Sequence, residues 1–169
     1  PGDPIEVETL QLSRADVKLG LSAPFTTSAN TDYPDEYRCF VADPHFTQDT
    51  YVTGYEVVPG DARIVHHVIV YAFDSAQGET DALTHEAADA IPGYECFGGP
   101  SPSGVDVDPV GVIGGWVPGQ TAVKFMPGSG KQLTTGTVVV MQVHYNLLGG
   151  HDPDRTKLRL TYAHPAAEA

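Results

Sequence analysis

The distribution of hydrophobic and polar residues along the chain predicts a protein built almost entirely of β-strands. Residues 64–73 and 137–147 are apolar along nearly their whole length, which is typical of strands buried on both faces. Residues 51–58 are rich in β-branched and aromatic side chains, and residues 156–162 alternate cleanly between polar and apolar. Further strands are predicted at residues 5–12, 37–41, 110–117 and 122–125.

Residues 74–115 interrupt this pattern, because glycine, proline, alanine and acidic residues dominate there. We predict one short helix at residues 80–90, with Thr80 or Asp81 as its N-cap, and loop for most of the rest. Seven or eight strands separated by turns indicate an all-β fold, an antiparallel β-sandwich of the jelly-roll or Greek-key type. We expect a single sandwich domain over residues 1–163, followed by a tail or linker at 164–169.

Composition narrows the possible functions. The length of 169 residues suits one domain, and a formal net charge of −13 disfavours nucleic acid and anionic membrane surfaces as partners. The chain contains no apolar run long enough to span a membrane as a helix. An acidic composition with only 4 lysines suits an exported protein, so we expect a secreted or periplasmic location.

Cys39 and Cys96 are the only 2 cysteines and are not part of a Cys-x-x-Cys pair, which excludes a zinc–thiolate cluster. From the residues alone, two interpretations remain. The cysteines are buried free thiols, or they form one disulfide that closes a long loop. The composition of an exported protein favours the disulfide.

Three of the seven histidines lie within the two most apolar predicted strands: His66, His67 and His144. Burying a histidine is costly unless its nitrogens find partners, and a metal ion is one such partner. Neighbouring residues of a regular strand point to opposite faces, so His66 and His67 share a metal only at a bulge or a strand edge. Ligation through Nδ1, the nitrogen nearer the backbone, would suit such a cramped site.

A three-histidine site with an open position suits copper, zinc or iron, and spacing does not choose among them. Because no carboxylate flanks these histidines in the sequence, a zinc hydrolase is disfavoured. The alternative to a metal site is a structural role for the pair His66 and His67. One histidine would then lie in the core and the other at the surface, each hydrogen-bonded. We expect Trp116, Met126 and Met141 to fill the core.

A succession of short motifs makes the chain resemble a known family. In order, these are YRCF at 37–40, YVTGYE at 51–56, HHVIVY at 66–71, GWVPG at 115–119, PGSG at 127–130 and QVHYN at 142–146. The succession covers about two thirds of the chain. It resembles the N-terminal domain of the copper type II, ascorbate-dependent monooxygenases, the family of peptidylglycine alpha-hydroxylating monooxygenase and dopamine beta-monooxygenase.

The resemblance implies a jelly-roll domain that holds one copper ion on His66, His67 and His144, with a Cys39–Cys96 disulfide. In that family, oxygen is activated at a second copper in the C-terminal domain, on a His-x-His pair and a methionine. Because this sequence has no His-x-His, it resembles only the half that takes an electron from ascorbate. Such a chain would contain no catalytic residue for hydroxylation and would need an oxygen-activating copper domain, in the same chain or another.

Strand spacing adds one neighbouring residue to this site. Gln142 lies two positions before His144, so both side chains share a face of the strand. We expect Gln142 to support the metal site from behind its ligands or to line the electron outlet.

Two other functions remain open. The first is a jelly-roll module that binds a ligand without catalysis. The second is a periplasmic copper storage or delivery protein. The binding module predicts exposed aromatic side chains on a concave face, drawn from Tyr33, Tyr37, Tyr51, Tyr55 and Tyr94.

Overall fold

The computed structural model describes residues 11–28, 32–73, 76–101 and 111–164. Within these ranges the chain forms ten strands, one α-helix and a short 3-10 turn. The strands are β1 (Val17–Gly20), β2 (Asp35–Ala42), β3 (Thr50–Val58), β4 (Val65–Phe73), β5 (Tyr94–Glu95), β6 (Gly111–Trp116), β7 (Val123–Lys124), β8 (Lys131–Leu133), β9 (Val138–Asn146) and β10 (Lys157–Ala163). The helix α1 spans Ala76–Ala88, and the 3-10 turn spans Leu147–Gly149.

The strands form two antiparallel sheets of five strands each, which confirms the predicted all-β sandwich. The first sheet has the order β1-β10-β3-β7, with β8 also paired to β3. The second sheet has the order β5-β2-β9-β4-β6. Its two central strands, β4 and β9, are the two long apolar stretches of the sequence, and β9 is buried at all but its last residue.

The second sheet is covered on both faces, which explains why its central strands do not alternate. Its inner face packs against the first sheet through residues such as Val70, Met141 and Tyr145. Its outer face carries a smaller cluster that includes Val140 and the buried Ala82 of α1. A strand covered on both sides buries every side chain, and the histidines at its end lie beside this second apolar layer.

Most strand predictions are confirmed, with shifts of a few residues at the ends. The short strands β1, β5 and β8 were not predicted, because two to four residues carry too little alternation to be recognised. Residues 5–10 of the first predicted strand lie outside the described residues, and residues 11 and 12 are not in a strand. The predicted tail at 164–169 is described only at His164, and the single-domain assignment stays a prediction.

The helix is confirmed, but its predicted N-cap is wrong. Helix α1 begins at Ala76, so Thr80 and Asp81 lie inside it. Asp81 instead accepts a hydrogen bond from the Gln77 side chain one turn earlier, at 2.7 Å. Among the described residues, no helix has the length and apolar character required to cross a membrane.

The core expectations hold for Trp116 and Met141, which are 6% and 0% exposed. The expectation for Met126 is wrong, because its side chain is 78% exposed. Met126 begins a tight turn in which its carbonyl accepts the Ser129 backbone N–H, and this turn holds it away from both sheets.

A buried carboxylate joins the end of the second sheet to the loops around it. Asp154 is fully buried and accepts hydrogen bonds from the Tyr145 hydroxyl (2.9 Å), the Thr156 hydroxyl (3.0 Å) and the Asp61 backbone N–H (3.0 Å). Burial raises the pKa of Tyr145, and the Asp154 charge raises it further, so the phenol stays a donor. The network holds the chain just before β4 against the end of β9, where the histidines lie.

We predict that Tyr145→Phe lowers the free energy of unfolding by about 1–3 kcal/mol, because a buried carboxylate loses a donor. Urea denaturation followed by tryptophan fluorescence measures the change. Tyr162→Phe is the matched control, because the Tyr162 hydroxyl makes no hydrogen bond to the described residues. Equal stability of the two variants would contradict the assigned role of the network.

Candidate metal centre

Three histidines meet on the outer face of the second sheet, where β4 begins and β9 ends. His66 and His67 are the second and third residues of β4, and His144 lies near the end of β9. His67 is paired directly with His144 in the antiparallel register. One nitrogen from each of the three rings lies within 4.8 Å of the others.

A β-bulge brings the neighbouring histidines to one side of the sheet. The register of β4 on β9 pairs His67 with His144 but Val65 with Tyr145, so His66 is an extra residue without a partner of its own. In an unshifted register His66 would lie opposite Tyr145 and face the core. The sequence predicted that His66 and His67 could share a metal only at a bulge or a strand edge. The structure has the bulge.

All three rings present Nδ1 to the shared space. The Nδ1 atom of His67 lies 3.2 Å from Nδ1 of His66 and 3.2 Å from Nδ1 of His144. Imidazole nitrogens held about 2.0 Å from one tetrahedral metal ion would be about 3.3 Å apart. The donor set therefore fits a single first-row transition metal ion, bound through the nitrogen that the cramped geometry favours.

His144 is oriented by two residues of the neighbouring strand β2. Its Nε2 lies 2.8 Å from Oδ1 of Asp35, and the ring of Tyr37 stacks on it with centroids 4.2 Å apart and planes inclined by 3°. A carboxylate at Nε2 favours a proton on that nitrogen and leaves the Nδ1 lone pair free. Asp35 and Tyr37 thus set both the tautomer and the angle of the ring.

Sequence reasoning missed both residues as parts of the site. Asp35 lies 109 positions from His144, and no spacing rule connects them. The signal was available only through strand pairing, since the β2–β9 register places Tyr37 opposite His144. No carboxylate flanks these histidines in the sequence, but strand pairing brings Asp35 to His144 in the structure.

The three histidines become more exposed to solvent in the order His144, His67, His66. His144 is 6% exposed, His67 is half-buried and His66 is exposed. Burial lowers the pKa of His67, and the adjacent His144 and His66 lower it further. The His67 ring is therefore biased toward the neutral form that binds metals, and the open side of the site lies at His66.

The disulfide implied by the resemblance is formed. Cys39 and Cys96 are bonded, with Sγ atoms 2.06 Å apart, and no free cysteine remains. The alternative of two buried free thiols is therefore wrong. The bond ties β2 to the loop after β5. It lies on the same face of the second sheet as the histidines.

Gln142 lies on that face but turns toward the disulfide. Its side-chain amide donates to the Gly99 carbonyl at 2.6 Å and contacts Cys96 Sγ at 3.7 Å. These contacts hold the loop that covers the sheet beside the site. A direct role of Gln142 toward a metal ion or an electron outlet stays a prediction.

The remaining histidines have other neighbours. His45 pairs with Asp43, and His85 lies near Tyr94. His151 lies near Thr27, and His164 lies near Thr50. Within the described ranges, His66, His67 and His144 form the group of metal-capable side chains with convergent donor atoms.

No protein-family model matches the sequence, and no curated protein matches it. The family resemblance remains a prediction from the motifs.

We predict that Asp35→Asn weakens binding of one copper or zinc ion by about 10–100-fold. The amide can donate to Nε2 of His144, which moves the ring proton to Nδ1 and blocks the donor. Competition titration against a chromophoric chelator measures the affinity. Glu36→Gln is the matched control, because Glu36 is the adjacent carboxylate and accepts from the Ser28 backbone N–H instead. Equal affinity of the two variants would contradict the role of Asp35.

Proposed function

We propose that this protein is a mononuclear copper redox domain, equivalent to the electron-delivering half of a copper type II, ascorbate-dependent monooxygenase. The observation that carries the proposal is the convergence of three imidazole Nδ1 atoms at the β4 bulge. The ordered motifs of the sequence, some of which do not contain these histidines, support the family assignment.

The chemistry of the donors supports copper as the resident metal. All three ligands are imidazoles, and the nearest cysteine sulfurs are locked in a disulfide. Imidazole suits copper in both oxidation states, and copper(II) binds to such sites more tightly than the other divalent first-row metals. Bound copper supplies one-electron storage, and His66, His67 and His144 would hold it.

The placement of the ligands supports electron transfer. His67 and His144 lie on paired central strands of a sheet that is buried on both faces, so their backbones are held firmly. Asp35 and Tyr37 fix the His144 ring, while His66 stays accessible to solvent. Rigid ligands with one open side limit rearrangement between oxidation states and admit a small reductant.

Partners and location follow from the same proposal. Ascorbate is the external reductant, and an oxygen-activating copper domain, in cis or in trans, receives the electron. The chain alone does not hydroxylate a substrate. The Cys39–Cys96 disulfide supports a secreted or periplasmic location, because such bonds persist in oxidising compartments.

The alternatives are separated by particular observations. A ligand-binding module with an exposed aromatic face is disfavoured, because only one of its five candidate rings is fully exposed. That ring is Tyr33, whereas Tyr37 and Tyr51 are half-buried and Tyr55 and Tyr94 are buried. Copper storage or delivery uses the same histidines without rapid redox turnover. Stopped-flow mixing with ascorbate separates storage from electron transfer, since a storage site need not be reduced quickly.

We predict that the apo protein binds one tight equivalent of Cu(II), with a nitrogen-rich type 2 EPR signal that ascorbate bleaches. His144→Ala removes a fixed ligand and should abolish tight binding. His85→Ala is the control, because His85 lies on α1 and packs near Tyr94 rather than near the site.

Two results would contradict the proposal. Tight binding that survives His144→Ala would place the metal elsewhere. A well-defined signal that ascorbate does not bleach would leave a metal site without the redox role.

A further inference from the structure

A chain of aromatic contacts connects His144 to the protein surface. The Tyr37 ring lies parallel to His144, with centroids 4.2 Å apart. Phe97 also contacts Tyr37, in a T-shaped arrangement with centroids 5.0 Å apart and planes inclined by 87°. Three rings, those of His144, Tyr37 and Phe97, therefore form a continuous series of contacts.

The outer end of this chain is exposed. The Phe97 side chain is 75% exposed, so a molecule in solution can reach its ring. Its position is nonetheless defined, because Cys96 beside it is bonded to Cys39 on β2. The disulfide thus holds an exposed ring against Tyr37.

The surroundings of Phe97 decide which charge a visiting molecule can carry. A surface cleft of about 250 Å³ is lined by Asp35, Glu36, Tyr37, Glu95, Cys96 and Phe97. Three of these residues are carboxylates, and none is a lysine or arginine. A cation placed there gains both the carboxylates and the faces of the aromatic rings, whereas an anion is repelled.

We propose that Phe97 and Tyr37 form an electron entry to the metal centre, used by a one-electron donor that presents a positively charged group to this cleft. The inference rests on the proposed copper redox function and adds a docking point and a donor class to it. The ring contacts carry the inference, and the carboxylates set the charge of the donor. Neither Tyr37 nor Phe97 binds the metal; the two rings lie between the donor and His144.

The electron balance of the step is simple. The donor loses one electron, and bound copper(II) gains it and becomes copper(I). No covalent bond forms or breaks, and no proton is required from the protein. Ascorbate is an anion at neutral pH, so its favoured approach is the exposed His66 on the open side of the site.

These two approaches make the inference testable with two probes on one protein. Hexaammineruthenium(II) is the cationic donor and ascorbate is the anionic donor. Each is mixed with the Cu(II)-loaded protein in a stopped-flow instrument, and loss of the Cu(II) signal is followed. Phe97→Leu removes the ring at an exposed position, and Tyr33→Leu removes an equally exposed ring (75%) that makes no ring contact to the described histidines.

We expect Phe97→Leu to slow reduction by hexaammineruthenium(II) several-fold and to leave the ascorbate rate unchanged. Tyr33→Leu should change neither rate. The cationic rate should fall by about ten-fold or more in high salt, where the Debye length shortens from about 30 Å at 0.01 M to about 3 Å at 1 M. Glu95→Gln should reduce that salt dependence.

A second readout guards against indirect effects. The Cu(II) affinity and EPR parameters of Phe97→Leu should equal those of the unmodified protein, because Phe97 does not touch a ligand. An unchanged ruthenium rate in Phe97→Leu would overturn the inference, as would an equal loss with both probes. If ascorbate fails to reduce even the unmodified protein, the proposed redox function fails instead, so the two failures are distinguishable.

Discussion

The single extra residue at His66 is the constraint on which the site depends. Strand geometry sends adjacent side chains to opposite faces, and the core requires Val65 to face Tyr145. The register shift satisfies that requirement and leaves His66 outside the ladder, beside His67. Without it, one imidazole would enter the apolar core and the three donor atoms would not converge.

The second sheet makes this local irregularity sustainable. Beyond the bulge, β4 pairs with β9 from His67 to Phe73 without another shift. The inner face of the second sheet packs on the core shared with the first sheet. Its outer face is covered by α1 and the disulfide loop. Asp35 and Tyr37 on the neighbouring strand β2 also support the site, because they hold His144 by a hydrogen bond and a ring stack.

Much of this arrangement could be predicted from residue pattern alone. The long apolar runs of β4 and β9 identified the buried strands. The histidines inside these runs predicted a metal site, because buried imidazoles require partners, and in the structure their donor atoms converge. The disulfide followed from the family resemblance, and the bulge was one of two solutions that strand geometry permits. These features depend on local sequence or on simple alternation.

The remainder could not be predicted, because it depends on which strands become neighbours. Asp35 reaches His144 only through the β2–β9 pairing, and Phe97 reaches Tyr37 only after the disulfide has positioned its loop. The N-cap of α1 was wrong because the helix begins earlier, at Ala76, so Thr80 and Asp81 lie in its interior although their residue types favour N-caps. Met126 was misplaced because hydrophobicity does not reveal that a residue lies in an exposed turn.

Nitrogen NMR of the histidine side chains identifies directly which nitrogens bind the metal. We would load the protein with one equivalent of diamagnetic Cu(I) and record long-range nitrogen–proton correlation spectra of its ¹⁵N-labelled histidines. We expect large shifts of the Nδ1 resonances of His66, His67 and His144, while the Nε2 of His144 remains protonated against Asp35. Shifts at Nε2 of these residues, or at other histidines, would contradict the geometry on which the proposed function rests.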